Sequence, residues 1–124
     1  MILKGSQRGY GGNLAAHLSN ARENDHVDVG GIRGTAAEDL HGALLEIEAT
    51  AQGTKCQQPF FHVIVNPPET ANLTREQFAA AFDKIDADMG LADHARAVVF
   101  HEKNGREHAH VVYSRMHLST HYDV

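Results

Sequence analysis

The 124-residue sequence has one cysteine, Cys56, and its apolar runs are only a few residues long. A single cysteine excludes an internal disulfide and any zinc site built from several thiolates, which leaves Cys56 as a structural or incidental thiol. Runs that short exclude a membrane-spanning helix, and no membrane partner is expected. The opening stretch MILKGSQRGYGG lacks the apolar core of a secretory signal, so a cytoplasmic protein is expected. There is no internal repeat, low-complexity tract or linker, and the length suits one domain with one modest core, spanning 1–124.

The net charge of −5 argues against nucleic acid until its distribution is considered. Residues 1–22 carry Lys4, Arg8 and Arg22 with no acid, and residues 94–115 carry Arg96, Lys103, Arg106 and Arg115 against only Glu102 and Glu107. The acids concentrate in 23–48 and 69–93, where they read as solvated helix faces. If the two basic segments meet in space, they form a basic patch despite the total; the alternative is ordinary surface charge.

Periodicity and punctuation give an element order of roughly β-α-β-α-β-α-β-β. MILK starts as a strand, GSQRGYGG is a glycine-rich loop, and NLAAHLSN fits a short helix capped by Asn13. HVDVGGI alternates like a strand. TAAEDLHGALLEIEATAQG predicts a helix that opens on a Thr35–Glu38 capping box and stops at Gly53, with Leu40, Ala43, Leu44 and Ile47 as its apolar stripe. PFFHVIVNPP is apolar on both faces and predicts a central strand. LTREQFAAAFDKIDADMGL predicts a second long helix, capped by Thr74 with Gln77 and ended by Gly90, burying Phe78, Ala81, Phe82 and Ile85. RAVVFHE and REHAHVVYS are the last two strands. The fold class is α+β: a largely antiparallel central sheet with helices packed on it, in two or three layers.

Asn104-Gly105 is a strong signal for a two-residue hairpin turn. Such a turn pairs Lys103 with Arg106, Glu102 with Glu107, and His101 with His108. Directly opposed residues share a face, with Cβ atoms about 4.5–5.5 Å apart, and His110 shares it through strand alternation. Three imidazoles therefore converge on one side of one hairpin, while Ala109, Val111 and Tyr113 face a core. Three imidazoles with coordination positions left open suit a catalytic divalent cation better than a structural one. Ten histidines make chance clustering easier, but an independently predicted turn brings these three together, and metal binding is the favoured reading. His26, His41, His94, His117 and His121 read as surface residues. His62 reads as a packed strand histidine, with a role behind a metal ligand as the alternative.

HEKNGREHAHVVYSR, residues 101–115, resembles the third motif of plasmid-mobilisation relaxases of the HUH endonuclease superfamily (His, hydrophobe, His). His108-Ala109-His110 is the HUH element and His101 matches the third metal ligand. MILKGSQRG, LAAHLSN, HVDVGGIRG and FFHVIVNPPE are also similar to Mob/Vir-type mobilisation nucleases, so the likeness covers most of the chain. The resemblance implies a metal-dependent enzyme that nicks one DNA strand at a plasmid transfer origin. A protein nucleophile stays attached to the 5′ phosphate and a 3′ hydroxyl is released. It also implies single-stranded DNA and accessory mobilisation proteins as partners, and Mg²⁺ or Mn²⁺ in use, although imidazoles suit Mn²⁺, Zn²⁺, Ni²⁺ or Cu²⁺ better than Mg²⁺.

The family pattern places its nucleophilic tyrosine as in Leu-x-x-Tyr-Leu, where this chain has Leu14-Ala15-Ala16-His17-Leu18. The resemblance thus implies His17 as nucleophile, with Tyr10 in the glycine-rich loop as its rival. Glu102 is given an orienting role only, because alternation aims it away from the metal face. Lys4, Arg8, Arg106 and Arg115 are candidate phosphate contacts, each with plain surface charge as the alternative. The chain ends soon after its last strand, at MHLSTHYDV, where the family continues with further elements. A truncated domain, a degraded copy or an unusually small member is implied. The readings that compete are an inactive DNA-binding module with the same fold and an unrelated histidine-dependent phosphoesterase.

Overall fold

A computed structural model describes residues 2–8, 18, 26–50, 59–68, 73–103 and 105–117, with backbone alone at 2–8, 26, 103 and 117. The elements, in chain order, are β1 (Ile2–Arg8), β2 (His26–Arg33), α1 (Leu40–Thr50), β3 (Phe60–Asn66), α2 (Arg75–Met89), β4 (His94–Lys103) and β5 (Arg106–His117). The five strands form one sheet in the order β1-β3-β5-β4-β2, with every neighbouring pair antiparallel. The fold is α+β, as the sequence predicts. The helix expected over NLAAHLSN lies outside the described residues except for Leu18.

Alternation along the strands sorts apolar side chains into two cores. On one face Leu40, Leu44 and Ile47 of α1 pack with Phe60, Ala97, Val99 and Val112, and Leu18 is buried among them. On the other face Phe78, Phe82 and Ile85 of α2 pack with Val63, Val65, Val98, Phe100, Ala109, Val111 and Tyr113. The helices therefore lie on opposite sides of the sheet and make three layers. β5 is the middle strand and has to be apolar on both faces: Val111 and Val112 are adjacent and both fully buried. β3 is internal, as its composition predicts, between β1 and β5.

The second helix begins and ends as expected. Thr74 Oγ1 accepts from the Gln77 backbone N–H at 3.1 Å, Gln77 Oε1 accepts from the Thr74 N–H at 2.9 Å, and Gly90 closes the helix at φ 68°. Phe78, Phe82 and Ile85 are buried, whereas Ala81 is half-buried.

The first helix departs from expectation. It starts at Leu40, and Asp39 rather than Thr35 caps it: Asp39 Oδ2 accepts from the Gly42 N–H at 2.9 Å. Residues 34–39 instead form a loop folded back over α1, where the Glu46 carboxylate accepts from the N–H groups of Ala36, at 2.8 Å, and Ala37. Thr35 donates its hydroxyl to the Ala37 carbonyl, so the Thr35–Glu38 box is not used. Gly53, the expected stop, lies outside the described residues. The apolar stripe is nonetheless the expected one, with Leu40, Ala43, Leu44 and Ile47 all buried.

The acid-rich segment 69–93 is not wholly a solvated face. Asp86 is buried and accepts from Arg33 Nη1 at 2.8 Å, Arg96 Nη1 at 3.0 Å and the Tyr113 hydroxyl at 2.5 Å. Burial opposes its ionisation, but the hydrogen bonds from Arg33 and Tyr113 and the charges of Arg96 and Arg33 outweigh it, holding the carboxyl below its ordinary pKa. The same burial and carboxylate push the Tyr113 hydroxyl well above its ordinary value.

Candidate metal centre

The hairpin that carries the three histidines has the register that a two-residue turn imposes. Lys103 pairs with Arg106 across two residues, and Gly105 takes the left-handed conformation, φ 76°. Glu102 then pairs with Glu107, His101 with His108, and Val99 with His110. His101, His108 and His110 come together on the face covered further along by α1. Ring centroids are separated by 5.3 Å (His101–His108), 4.4 Å (His101–His110) and 5.1 Å (His108–His110). One nitrogen of each ring lies within 4.8 Å of one nitrogen of each other ring. His101 and His110 are buried and His108 is half-buried, so the cluster has a closed floor and one more open side.

Two of the three rings are held from behind. The Leu18 carbonyl lies 2.6 Å from His101 Nε2. A carbonyl only accepts, so this nitrogen carries a proton, and Nδ1 is the nitrogen of His101 left for a cation. His110 Nδ1 lies 2.7 Å from Nε2 of His62, which is itself 2 % exposed. His62 pairs with Val112 on the adjacent strand, so it is a diagonal neighbour of His110 on the same face. His108 has its pKa lowered, first by burial and then by the charges of His101 and Arg106, which favours the neutral ring. Neutral imidazoles whose second nitrogen is engaged are what cation ligation calls for. The residues present therefore fit a divalent cation.

The opposite face of the hairpin is braced. Arg75, the first residue of α2, grips Glu107 with two nitrogens, at 2.7 and 3.2 Å, and reaches Asp28 of β2 at 3.1 Å. Its guanidinium stacks over Phe100, 3.7 Å from the ring centre. The paired carboxylates raise the pKa of Arg75. The loop after β3 is tied to the same hairpin, because Arg106 Nη2 donates to the Pro67 carbonyl at 3.2 Å.

The remaining sequence candidates fall in different places. Glu102 occupies a β4 position in step with Val98 and Phe100, on the α2 side of the sheet. Arg106 is in step with His108 and His110, and Arg115 with Tyr113; the Arg115 N–H donates to the Pro59 carbonyl at 2.7 Å. Lys4 is aligned with Ile64, which is aligned with His110; Arg8 is aligned with Phe60. Their side chains, and all of Tyr10 and His17, lie outside the described residues.

Of the histidines read as surface residues, His41 is exposed, and the side chains of His26, His117 and His121 are outside the described set. His94 corrects that reading: it is 2 % exposed, with Nδ1 2.8 Å from the Ser114 carbonyl. Its position at the start of β4, next to the sheet's central strand, buries it. The contact between His62 and His110 was open to sequence reasoning only as an alternative, because it depends on β3 lying beside β5.

A family model, relaxase of the MobA/VirD2-like type, nuclease domain, matches residues 15–124. No curated protein and no solved structure gives a significant match.

Proposed function

The chain belongs to the MobA/VirD2-like relaxases, matched over their nuclease domain, and on that footing we propose that it nicks single-stranded DNA at a transfer origin through a covalent 5′-phosphoprotein. The observation that carries this reading is the convergence of His101, His108 and His110 on one face of the β4–β5 hairpin. These three residues would hold the cation, Mn²⁺ or Mg²⁺. A divalent cation there supplies charge neutralisation at the scissile phosphate and orients it for in-line displacement.

The attacking group in this proposal is His17, next in sequence to Leu18, whose carbonyl meets His101. A neutral imidazole nitrogen attacks phosphorus, the P–N bond forms, the P–O3′ bond breaks, and the released 3′ oxygen takes a proton. Because the phosphoramidate retains the bond energy, attack by the 3′ hydroxyl reverses the step and rejoins the strand. Imidazole needs no prior deprotonation near pH 7, unlike a phenol of pKa about 10. Tyr10 remains the rival nucleophile. Lys4, Arg8, Arg106 and Arg115 would contact phosphates along the strand, and Glu102 would act on the site only through the strand it shares with His101. Accessory mobilisation proteins are the further partners of this reading.

The test is incubation of the full chain with a panel of origin-like single-stranded oligonucleotides and Mn²⁺, followed by a denaturing gel. A shifted protein–DNA adduct is expected. DNA binding without an adduct favours an inactive binding module, and a soluble product without an adduct favours a phosphoesterase.

A further inference from the structure

We infer that His62 is a positioning residue for the metal centre: its Nε2 accepts the Nδ1 proton of His110 and so turns Nε2 of His110 toward the cation. The inference rests on the reading of the three histidines as a cation site and deepens it. A neutral imidazole has one protonated nitrogen and one with a lone pair. Nδ1 of His110 is 2.7 Å from His62, so the nitrogen of His110 that a cation can use is Nε2. For Nε2 to carry the lone pair, Nδ1 must carry the proton, and Nε2 of His62 must then be the acceptor. This leaves the proton of His62 on its Nδ1. Binding a cation therefore selects one of the two proton arrangements open to the pair.

His62 sits on an internal strand, 48 residues upstream in sequence, and is as well buried as the apolar side chains beside it. Its ring is tilted 33° to that of His110, with centroids 4.9 Å apart, so the two meet through nitrogen atoms rather than by face-to-face stacking. A strand position with this burial would ordinarily hold an aliphatic residue, as Val63 and Val65 do. An aliphatic residue at 62 would leave the His110 proton without this acceptor.

Titration calorimetry with Mn²⁺ on the full chain tests the inference, comparing wild type, His62→Gln, His62→Leu and His108→Ala. Glutamine can place an oxygen acceptor near the site of the lost Nε2, whereas leucine fills space without accepting. His62→Leu is expected to weaken Mn²⁺ binding about 10–100-fold, His62→Gln to recover most of it, and His108→Ala to lose more than either. Wild-type affinity in His62→Leu alongside loss in His108→Ala overturns the role of His62 alone. No saturable binding by wild type, or unchanged binding in His108→Ala, overturns the cation site and this inference together. Should His62→Leu fail to fold, long-range ¹H–¹⁵N spectra of the Zn²⁺-loaded wild type decide the matter. Protons on Nδ1 of both His62 and His110 are expected, and a proton on Nε2 of His62 overturns the inference.

Discussion

The Tyr113 hydroxyl donates to Asp86 Oδ1 at 2.5 Å, joining the middle strand of the sheet to the helix that covers it. The other carboxylate oxygen accepts from both Arg33 and Arg96. Replacing Asp86 by alanine removes three partners at once and leaves a buried phenol and a largely buried guanidinium without their acceptor. Asp86→Ala is expected to destabilise the fold by about 3–5 kcal/mol, read as a lowered urea midpoint. Asp86→Asn, which keeps one acceptor oxygen, should lose less.

The same carboxylate gives stability a defined acid dependence. Its folded pKa lies below the ordinary value of 3.8, so on acidification the unfolded chain takes up the proton first. The contribution of Asp86 is fully present above the unfolded pKa and is lost as pH falls through the folded one. Unfolding free energies of wild type and Asp86→Asn should therefore differ at pH 7 and converge toward pH 2. A gap that stays constant over that range would contradict the assignment.

Gly30 lies against Phe100. A Cβ at Gly30 would come within 2.2 Å of Phe100 Cε2, and the ring is capped by Arg75, which limits its retreat. Gly30→Ala is expected to cost about 1–3 kcal/mol by overpacking, measured by thermal or urea unfolding.

Cation affinity should depend on pH through the imidazoles, which ligate only when neutral. The lowered pKa of His108 keeps that ring neutral to a lower pH than an isolated histidine. Calorimetric Mn²⁺ affinity should be nearly level above about pH 7.5 and fall below about pH 6. Affinity independent of pH between 5 and 8 would count against imidazole ligation.

The nucleophile can be identified from the bond it makes. A His17 adduct is a phosphoramidate, cleaved by acid and stable to base, whereas a Tyr10 adduct survives mild acid. Acid treatment of trapped protein–DNA complex should release the DNA. His17→Ala should abolish the adduct while retaining Mn²⁺ binding. Loss in Tyr10→Phe with retention in His17→Ala would transfer the role to Tyr10.

Short-range chemistry made the hairpin legible. The Asn104-Gly105 dipeptide predicts the pairing of His101 with His108 that the register shows, and alternation adds His110, with no knowledge of the rest of the sheet. The second long helix was equally legible, because its capping box and closing glycine lie within its own sequence. What could not be read depends on which strands become neighbours. His62 meets His110 only because β3 lies beside β5, and Leu18 meets His101 across 83 positions of sequence. Asp86 looks like any acid in an acid-rich helix until Arg33, Arg96 and Tyr113 surround it. The start of α1 misled for another reason: Thr35 and Glu38 match a capping box, but Glu46 competes for the same backbone by accepting from Ala36 and Ala37.

The three candidate ligands fall within ten consecutive residues, whereas the groups that orient two of them come from far upstream. The hairpin alone can gather the imidazoles, a local closure that ranks among the faster events of folding. Only the completed sheet, with β3 docked and Leu18 in place, can set their tilt and proton positions. With the proposed cation site, affinity is expected to be weak for a nascent hairpin and full for the finished domain. By the same linkage, a cation that prefers the finished geometry draws the distant N-terminal and β3 contacts into one cooperative unit with the hairpin.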